Sequence, residues 1–553
     1  MTDNNNSRTA AIGIAIGCIA LFGLYRLLQV GSRDKRLPPG PPTLPILGNL
    51  HQVPISGLAK KCALAIKEFE QSHADTNRQI SDLGRTVRRR FLPKFGSSTV
   101  IVLFDRKAVH DLLDKKGNIY SERPHSYVAS LVTDNDSFAF MDQTALWRSQ
   151  RKVASHNLSP RVLDDKVGYI QDAEVNVLLA DLIRDPGDYY KLIQRTTASV
   201  ANAVVWGHRG PTYDTFWGSG VYKAMDNYSA ALEPGANPPV DEFPFLQYLP
   251  GFLAPWKQRA RQSCAGMHRI WSEARRQVDA RRAKGIKRDS IIDAILDGEK
   301  HSDVQATPDQ LNHFLGVLVE GGADTTSSST LTSVMQLALH PEFQKKARIE
   351  LDAVCGPNRL PMLTDFAKLP YINCLIKEAL RIHPVLPLGV PHRVNQDDWY
   401  NGMLIPKNAT VIIPAWAMHL SEQTGYKDPT TYNPDRYLNW PKFADSYAGN
   451  TLADKSLHHY AYGAGRRICP GMHLAERTQW RITARLLWAF DIQRAVDPET
   501  GDVVPIDADQ YEEGIAHNPK PFSVVFKPRS QAHIDTIMAS ISDAHSFLRA
   551  WDD

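Results

Sequence analysis

The chain has 553 residues, 43% of them hydrophobic, which is ample for one large core or several smaller ones. A net charge of +4 with no long basic run excludes nucleic acid as an expected partner. The six cysteines (Cys18, Cys62, Cys264, Cys355, Cys374 and Cys469) lack C-x-x-C spacing, which argues against a disulfide framework or a zinc site and fits a reducing compartment.

In chain order, a short tail (1–9) precedes the charge-free run AAIGIAIGCIALFGLY from Ala10 to Tyr25, extended past Arg26 to Val30. Its length approaches the ~20 residues that span a bilayer, with Arg26 able to snorkel. One basic residue, Arg8, precedes the run, whereas Arg26, Arg33, Lys35 and Arg36 follow it, so a membrane anchor over 10–30 with its downstream side in the cytosol is expected. A cleavable secretory signal is the competing reading, disfavoured by the single basic residue before the run and the lack of a small-x-small site. Residues 31–45, with Leu37-Pro38-Pro39-Gly40-Pro41-Pro42, read as a stiff basic and proline-rich hinge. The globular part is expected over 46–530, with an atypical polar stretch at 60–94 in which Arg85, Arg88, Arg89 and Arg90 cluster.

The pattern thereafter is mainly helical with short strands, at Thr99–Leu103, Thr410–Ile413 and Phe522–Lys527. Trp147 and Arg151 sit four apart on one predicted helix, together with Arg148 and Lys152. A proline-rich stretch with aromatic residues, Glu233–Pro255, separates two helical regions. An apolar helical run through Leu311, Phe314, Leu315 and Leu318 meets Gly321-Gly322-Ala323-Asp324-Thr325-Thr326, and the periodicity resumes until His340-Pro341. Two readings stand here. Either the glycines break two helices and Asp324 or Thr325 caps the second, or one long helix tolerates both glycines, at roughly 1 kcal/mol each relative to alanine, because something needs the space. In Lys377-Glu378-Ala379-Leu380-Arg381, on a helix from Tyr371 to His383, Glu378 and Arg381 share one face. Pro391-His392-Arg393 and Pro434-Asp435-Arg436-Tyr437 follow in connecting segments. Near the end, Tyr462-Gly463-Ala464-Gly465-Arg466-Arg467-Ile468-Cys469-Pro470-Gly471 leads into a helix over His473–Phe490, and residues 531–553 form a C-terminal helical extension. The glycines let the backbone turn sharply and approach a flat ligand, the helix start favours a thiolate, and Arg467 can hold an anionic group. Together they describe the proximal side of a haem, with Cys469 as axial iron ligand.

That decapeptide resembles the F-x-x-G-x-R-x-C-x-G signature of cytochromes P450, with Tyr462 in place of phenylalanine. The resemblance extends through the other motifs in the family's order. It implies the P450 fold, mainly α with small β-sheets, and haem b held by Trp147, Arg151, Gly321, Gly322, Arg393, Tyr462, Gly463, Gly465, Arg467 and Gly471. It implies that Glu378, Arg381 and Arg436 form a structural clamp. It further implies that Gly321-Gly322 give oxygen room, with a bulkier side chain at Gly322 intruding, and that Asp324 and Thr325 organise protons. Pocket positions by family place are 126–140, 314–323, 385–390 and 514–516, with Phe314, Leu318, Val385, Leu386, Leu388, Val390 and Ile515 making a largely apolar lining. The implied partners are O2, NADPH through NADPH-cytochrome P450 reductase, possible cytochrome b5, membrane lipid and a hydrophobic small molecule. Arg148, Lys152 and Arg466 offer a docking patch for the electron donor, with solvated surface side chains as the equal alternative. The implied location is the endoplasmic-reticulum membrane, single-pass, facing the cytosol, which would leave the sequons at Asn157, Asn227 and Asn408 unmodified. Glu233–Pro255 corresponds to the family's mobile lid beside the membrane. The segment 60–94 lacks the family's W-x-x-(K/R)-Y-G element and shows nothing resembling its opening helix and strand. Leu388 to His419 looks like fungal secondary-metabolism P450s of the O-methylsterigmatocystin oxidoreductase type, hence a monooxygenase tailoring a natural product. The alternatives are a P450-fold isomerase or dehydratase that does not use O2, disfavoured by the Asp324–Thr325 pair, and a non-enzymatic haem sensor or carrier.

Overall fold

One helix organises the molecule: Pro308–Leu339, 32 residues running without interruption through Gly321 and Gly322. Its start is fixed by a capping box between Thr307 and Gln310 with proline in the first turn, and it stops at His340-Pro341. The one-helix reading is therefore the correct one, and neither Asp324 nor Thr325 is a cap. The computed structural model describes residues 3–552 apart from 35, 39, 55–56, 62–63, 65–89, 92–93, 97, 234, 302, 445–458 and 513. Most of the atypical 60–94 stretch lies outside the described residues.

The principal helices are α1 (Asp3–Gln29), α2 (Tyr127–Thr133), α3 (Ala145–Asn157), α4 (Gly168–Arg184), α5 (Tyr189–Val205), α6 (Phe216–Leu232), α7 (Pro255–Ala283), α8 (Pro308–Leu339), α9 (Pro341–Val354), α10 (Pro370–Ile382), α11 (Met472–Ala489) and α12 (Gln531–Leu548). The strands are β1 (Arg90–Phe91), β2 (Lys94–Phe95), β3 (Ser98–Leu103), β4 (His392–Arg393), β5 (Asp398–Tyr400), β6 (Met403–Ile405), β7 (Thr410–Ile412), β8 (Phe490–Arg494) and β9 (Val524–Pro528). The fold is thus mainly helical with small sheets. β3 pairs in parallel with β7 and antiparallel with β1 and β2, while β4 pairs antiparallel with β7. The short strands β1 and β2 correct the expectation that nothing strand-like precedes β3. β5 pairs with β6, and β8 with β9, each antiparallel.

Among the described residues, the three largest of five apolar clusters make up most of the interior. One joins α2, α3, α5, α6 and α7 to the first half of α8; a second joins α4, α10 and α11 to its second half; the third lies between β3, β7 and the helical turn after β3. α8 belongs to two of them, so it is buried nearly all round. α12 lays Ala544 and Leu548 against Ala173 and Val177 of α4, and beyond it Asp552 pairs with Arg209 at 3.0 Å. The apolar side chains of α1 from Ile12 to Leu28 are largely exposed, and among the described residues no helix is long and apolar enough to cross a membrane.

α7 and α8 cross where Gly316 faces Trp271: a Cβ there would lie 2.3 Å from the indole nitrogen. Gly316→Ala should therefore lower stability by about 1–3 kcal/mol through overpacking. An unchanged Tm in this variant would contradict that close crossing.

Candidate active site

The cysteine loop is built from its glycines. Gly463 and Gly465 take φ of +77° and +67°, and a Cβ at Gly465 would come 2.4 Å from the Leu113 carbonyl oxygen. Glycine at 465 is thus required twice, for conformation and for contact. The Cys469 N–H donates to the Tyr462 carbonyl at 2.9 Å, closing the loop. α11 then starts at Met472, and the backbone N–H groups of Gly471 and Met472 point at the Cys469 sulfur. Burial pushes the Cys469 thiol up, opposed by those N–H groups and by Arg151. At Tyr462 the extra hydroxyl is buried beside Gln479 and Glu476, and burial raises its pKa.

The clamp is complete. Arg381 donates from Nε to Glu378 Oε2 and from Nη2 to Glu378 Oε1, both at 2.7 Å, and both residues are fully buried. Glu378 Oε1 also accepts from Arg436 Nε at 3.2 Å and from the Asn433 N–H at 2.7 Å. The free edge of Arg381 donates to the carbonyls of His419, Pro429 and Thr431. Every donor is used, which is what a buried ion pair needs to offset desolvation. His419 carries the clamp to the cysteine loop. Its Nε2 accepts the Tyr460 N–H at 2.8 Å, so its Nδ1–H is the donor to the Arg381 carbonyl at 3.0 Å. One neutral tautomer satisfies both bonds. Nothing in its spacing from Glu378 or Cys469 marks His419 as this link.

A second set of residues gathers positive charge. Arg151 lies four residues after Trp147 on α3, and its guanidinium makes no hydrogen bond to the described residues; burial lowers its pKa. Arg467 stacks 4.0 Å over the Trp147 ring and donates to the carbonyls of Ser121 and Met141; burial pulls it down to about 10. Arg123, unmarked by any motif, is fully buried and donates to the carbonyls of Ala139, Val390 and Pro391, with burial and then Arg467 and Arg151 depressing its pKa strongly. Arg393 has its donors committed to Asp142 at 2.5 Å, Asn408 at 3.0 Å and the Arg123 carbonyl at 2.8 Å. It acts on the site mainly by holding Asp142 and the Arg123 backbone. His392 bonds the Tyr120 carbonyl through Nδ1, and burial lowers it to about 3, so it is neutral. Buried guanidinium groups in excess of carboxylates, with Arg151 uncommitted, suit the two carboxylates of a haem beside a glycine-cleared thiol loop. The residues present therefore fit that group.

α8 carries Gly321 and Thr325 one turn apart. The Thr325 hydroxyl donates to the Gly321 carbonyl at 2.7 Å. A Cβ at Gly321 would meet nothing within 4 Å, whereas one at Gly322 would meet Ala201 Cβ at 3.2 Å. The open position is hence Gly321, and Gly322 packs against α5, which corrects the expectation that Gly322 guards the open space. The Asp324 side chain is buried, and Asn518 Nδ2 donates to its Oδ1 at 3.4 Å. Burial first, then Asp226, raises Asp324 to about 7. One turn earlier, Glu320 accepts from Trp271 at 3.0 Å and is raised by burial to about 8.

Of the expected pocket residues, Leu318, Leu386, Leu388, Val390 and Ile515 are half-buried with free surface, and Val385 is nearly covered. Phe314 is fully buried, edge-on to Phe138 at 5.5 Å, so it packs behind the wall instead of lining it. A cavity of about 460 Å³ adjoins the cationic group, lined by Arg123, Ser126, Tyr127, Ser137, Phe140 and Asp241 among others.

A glycine-kinked cysteine loop, a buried cationic collar and a helix with one open glycine define a haem-thiolate protein. The chain belongs to the cytochrome P450 family, whose model matches residues 38–526. It is 37% identical to cytochrome P450 monooxygenase acuD of Aspergillus aculeatus over 98% of both chains. It is 38% identical to cytochrome P450 monooxygenase patI of Aspergillus clavatus over 96% of both, and 36% identical to cytochrome P450 monooxygenase atE of Aspergillus terreus over 99% of this chain and 98% of that one.

Two measurements follow from this geometry. Glu378→Ala leaves Arg381 charged and buried, so stability should drop by about 3–5 kcal/mol with loss of haem incorporation; normal folding yield and haem content would contradict the clamp. For Asp324, the folded pKa lies above the unfolded one, so the native state binds the extra proton between about pH 4 and pH 7, and stability falls as pH rises through that window. The full cost, on the order of 4 kcal/mol, is present above pH 7. The Tm of Asp324→Asn relative to wild type should therefore rise from pH 5 to pH 8, and a pH-independent difference would refute the burial argument.

Proposed function

We propose that the protein is a haem-thiolate monooxygenase that inserts one oxygen atom from O2 into a hydrophobic small molecule, in the biosynthesis of a natural product. The single observation that carries this is the glycine-bent loop whose Gly471 and Met472 N–H groups point at the Cys469 sulfur, in a chain whose α8 carries Thr325 bonded to the open Gly321. Haem b bound through Cys469 supplies the activation of O2, using two electrons. Cys469 would hold the iron, and Arg151, Arg467 and Arg123 the haem carboxylates. Gly321, with open space where a Cβ would stand, would leave room for O2. Thr325, anchored to the Gly321 carbonyl, offers its hydroxyl oxygen to a proton carrier, and Asp324, raised to about 7, is the nearest group on α8 able to take up and release a proton at neutral pH. The persistence of this acid–alcohol pair favours oxygen chemistry over isomerisation or dehydration. The apolar lining at Leu318, Leu386, Leu388, Val390 and Ile515 selects a hydrophobic substrate and excludes water. The relatives named as fungal monooxygenases support the same reading.

Electrons would come from NADPH through NADPH-cytochrome P450 reductase, with cytochrome b5 as a second donor. Arg148, Lys152 and Arg466, all exposed on the side of the cysteine loop, suit an acidic donor domain. We place the protein at the endoplasmic-reticulum membrane, with the exposed apolar side chains of α1 against lipid. Exposed Phe245, Tyr248, Phe252 and Leu253 in the lid segment, together with the apolar α1, support contact with lipid.

Thr325→Ala tests the assignment. With reductase and a substrate that shifts the haem spectrum, this variant should keep oxidising NADPH but pass its electrons to O2 as hydrogen peroxide instead of into product. An unchanged product yield per NADPH would argue against the proton role.

A further inference from the structure

The segment from Tyr511 to Asn518 runs along α8 and is tied to it at one-turn intervals. Asn518 donates to Asp324, Ser328 Oγ donates to the His517 carbonyl at 2.9 Å, and the Thr332 hydroxyl lies 3.1 Å from the Tyr511 hydroxyl. Positions 324, 328 and 332 form one stripe of the helix. The other side of the segment is fixed as well: the His517 N–H donates to the Val385 carbonyl at 2.8 Å, and a Cβ at Gly514 would lie 2.6 Å from Ser229 Oγ on α6. Ile515, a pocket residue, therefore shares a short, doubly anchored segment with the residue that holds Asp324.

The Asn518 side chain has a further property. Among the described residues its Nδ2 bonds Asp324 alone, while its Oδ1 is buried and accepts no hydrogen bond. An amide carries a donor at one end and an acceptor at the other. Here nothing at the far end favours one orientation. Facing Asp324 with Nδ2 suits the carboxylate; turned over, Oδ1 accepts from the protonated acid. Among the described residues, the groups acting on Asp324 include no cation. The groups facing Asp324 are Tyr222 and Asp226 from α6, Tyr190 from α5, Glu512 from the loop and Glu320 one turn back on α8, with Lys520 acting on Glu512. Asp226 and Glu512 both reach solvent.

We propose that Asn518 is a positioning residue for proton delivery: its amide turns over with the protonation of Asp324, holding that side chain in both states between the solvent-facing Asp226 and Glu512 and the Thr325 side. The step is a proton transfer alone. The Asp324 carboxylate takes a proton from solvent past Asp226 and Glu512, gives it up towards Thr325, and is a carboxylate again. Through Ile515 and the ladder on α8, filling of the pocket bears on the same segment. The proposal rests on the proton role assigned above to Asp324 and Thr325.

The test compares Asn518→Leu, which can neither donate nor accept, with Asn518→Ser, which can do both. The Asp324 carboxyl is followed by infrared titration of the resting holoenzyme, identified by difference from Asp324→Asn. With Asn518→Leu its midpoint should rise by roughly half to one pH unit, because of the two bonds lost the one to the carboxylate is the stronger. Product per NADPH should fall severalfold with a larger solvent isotope effect. Asn518→Ser should retain the wild-type midpoint and most of the yield. An unmoved midpoint in Asn518→Leu, or a yield lost equally in both variants, overturns the proposal. Should Asp324→Asn and Thr325→Ala also leave the yield unchanged, the underlying proton role fails; should they uncouple while Asn518→Leu does not, the role of Asn518 alone fails.

Discussion

The buried pair Glu378–Arg381 is the constraint on which the site depends, because it is an ion pair without water and must find all its partners in the protein. The carbonyls of His419, Pro429 and Thr431 and the N–H of Asn433 meet that demand, and in doing so they fix the whole stretch from 419 to 436 against α10. From there His419 passes the order to Tyr460, the residue at which the cysteine loop turns. A pair of this kind contributes little net stability compared with apolar packing of the same volume. What it adds is geometric constraint: the observed arrangement of the loop satisfies every Arg381 donor.

Charge is segregated on the two sides of the site. On the proximal side burial concentrates guanidinium groups around Trp147, lowering their pKa values and favouring an anionic ligand. On the distal side α8 buries acids without cations, so Asp324 and Glu320 are pushed into the range where they exchange protons near neutrality. The same cause, desolvation, has opposite consequences because the groups differ in sign.

Much of this was legible because the decisive groups are close in sequence. The spacing within 462–471, the three-residue interval from Glu378 to Arg381 and the four-residue interval from Trp147 to Arg151 are all fixed by local geometry. What stayed hidden acts across long separations. Arg123 gains its meaning from Val390 and Pro391, His419 from Arg381 and Tyr460, and Asn518 from Asp324. Direction was also invisible: two adjacent glycines look equivalent in the chain, yet α8 turns Gly321 to open space and Gly322 to Ala201. Phe314 likewise carries the right helical phase for a pocket but is enclosed by Phe138.

The central claim is that Cys469, held by this loop, ligates iron as a thiolate. The absorbance spectrum of the reduced, CO-bound full-length protein in microsomes tests it most directly, run beside Cys469→Ala. A thiolate-type Soret band in the wild type, lost in the variant, is the expected result. The same band in both would contradict the claim.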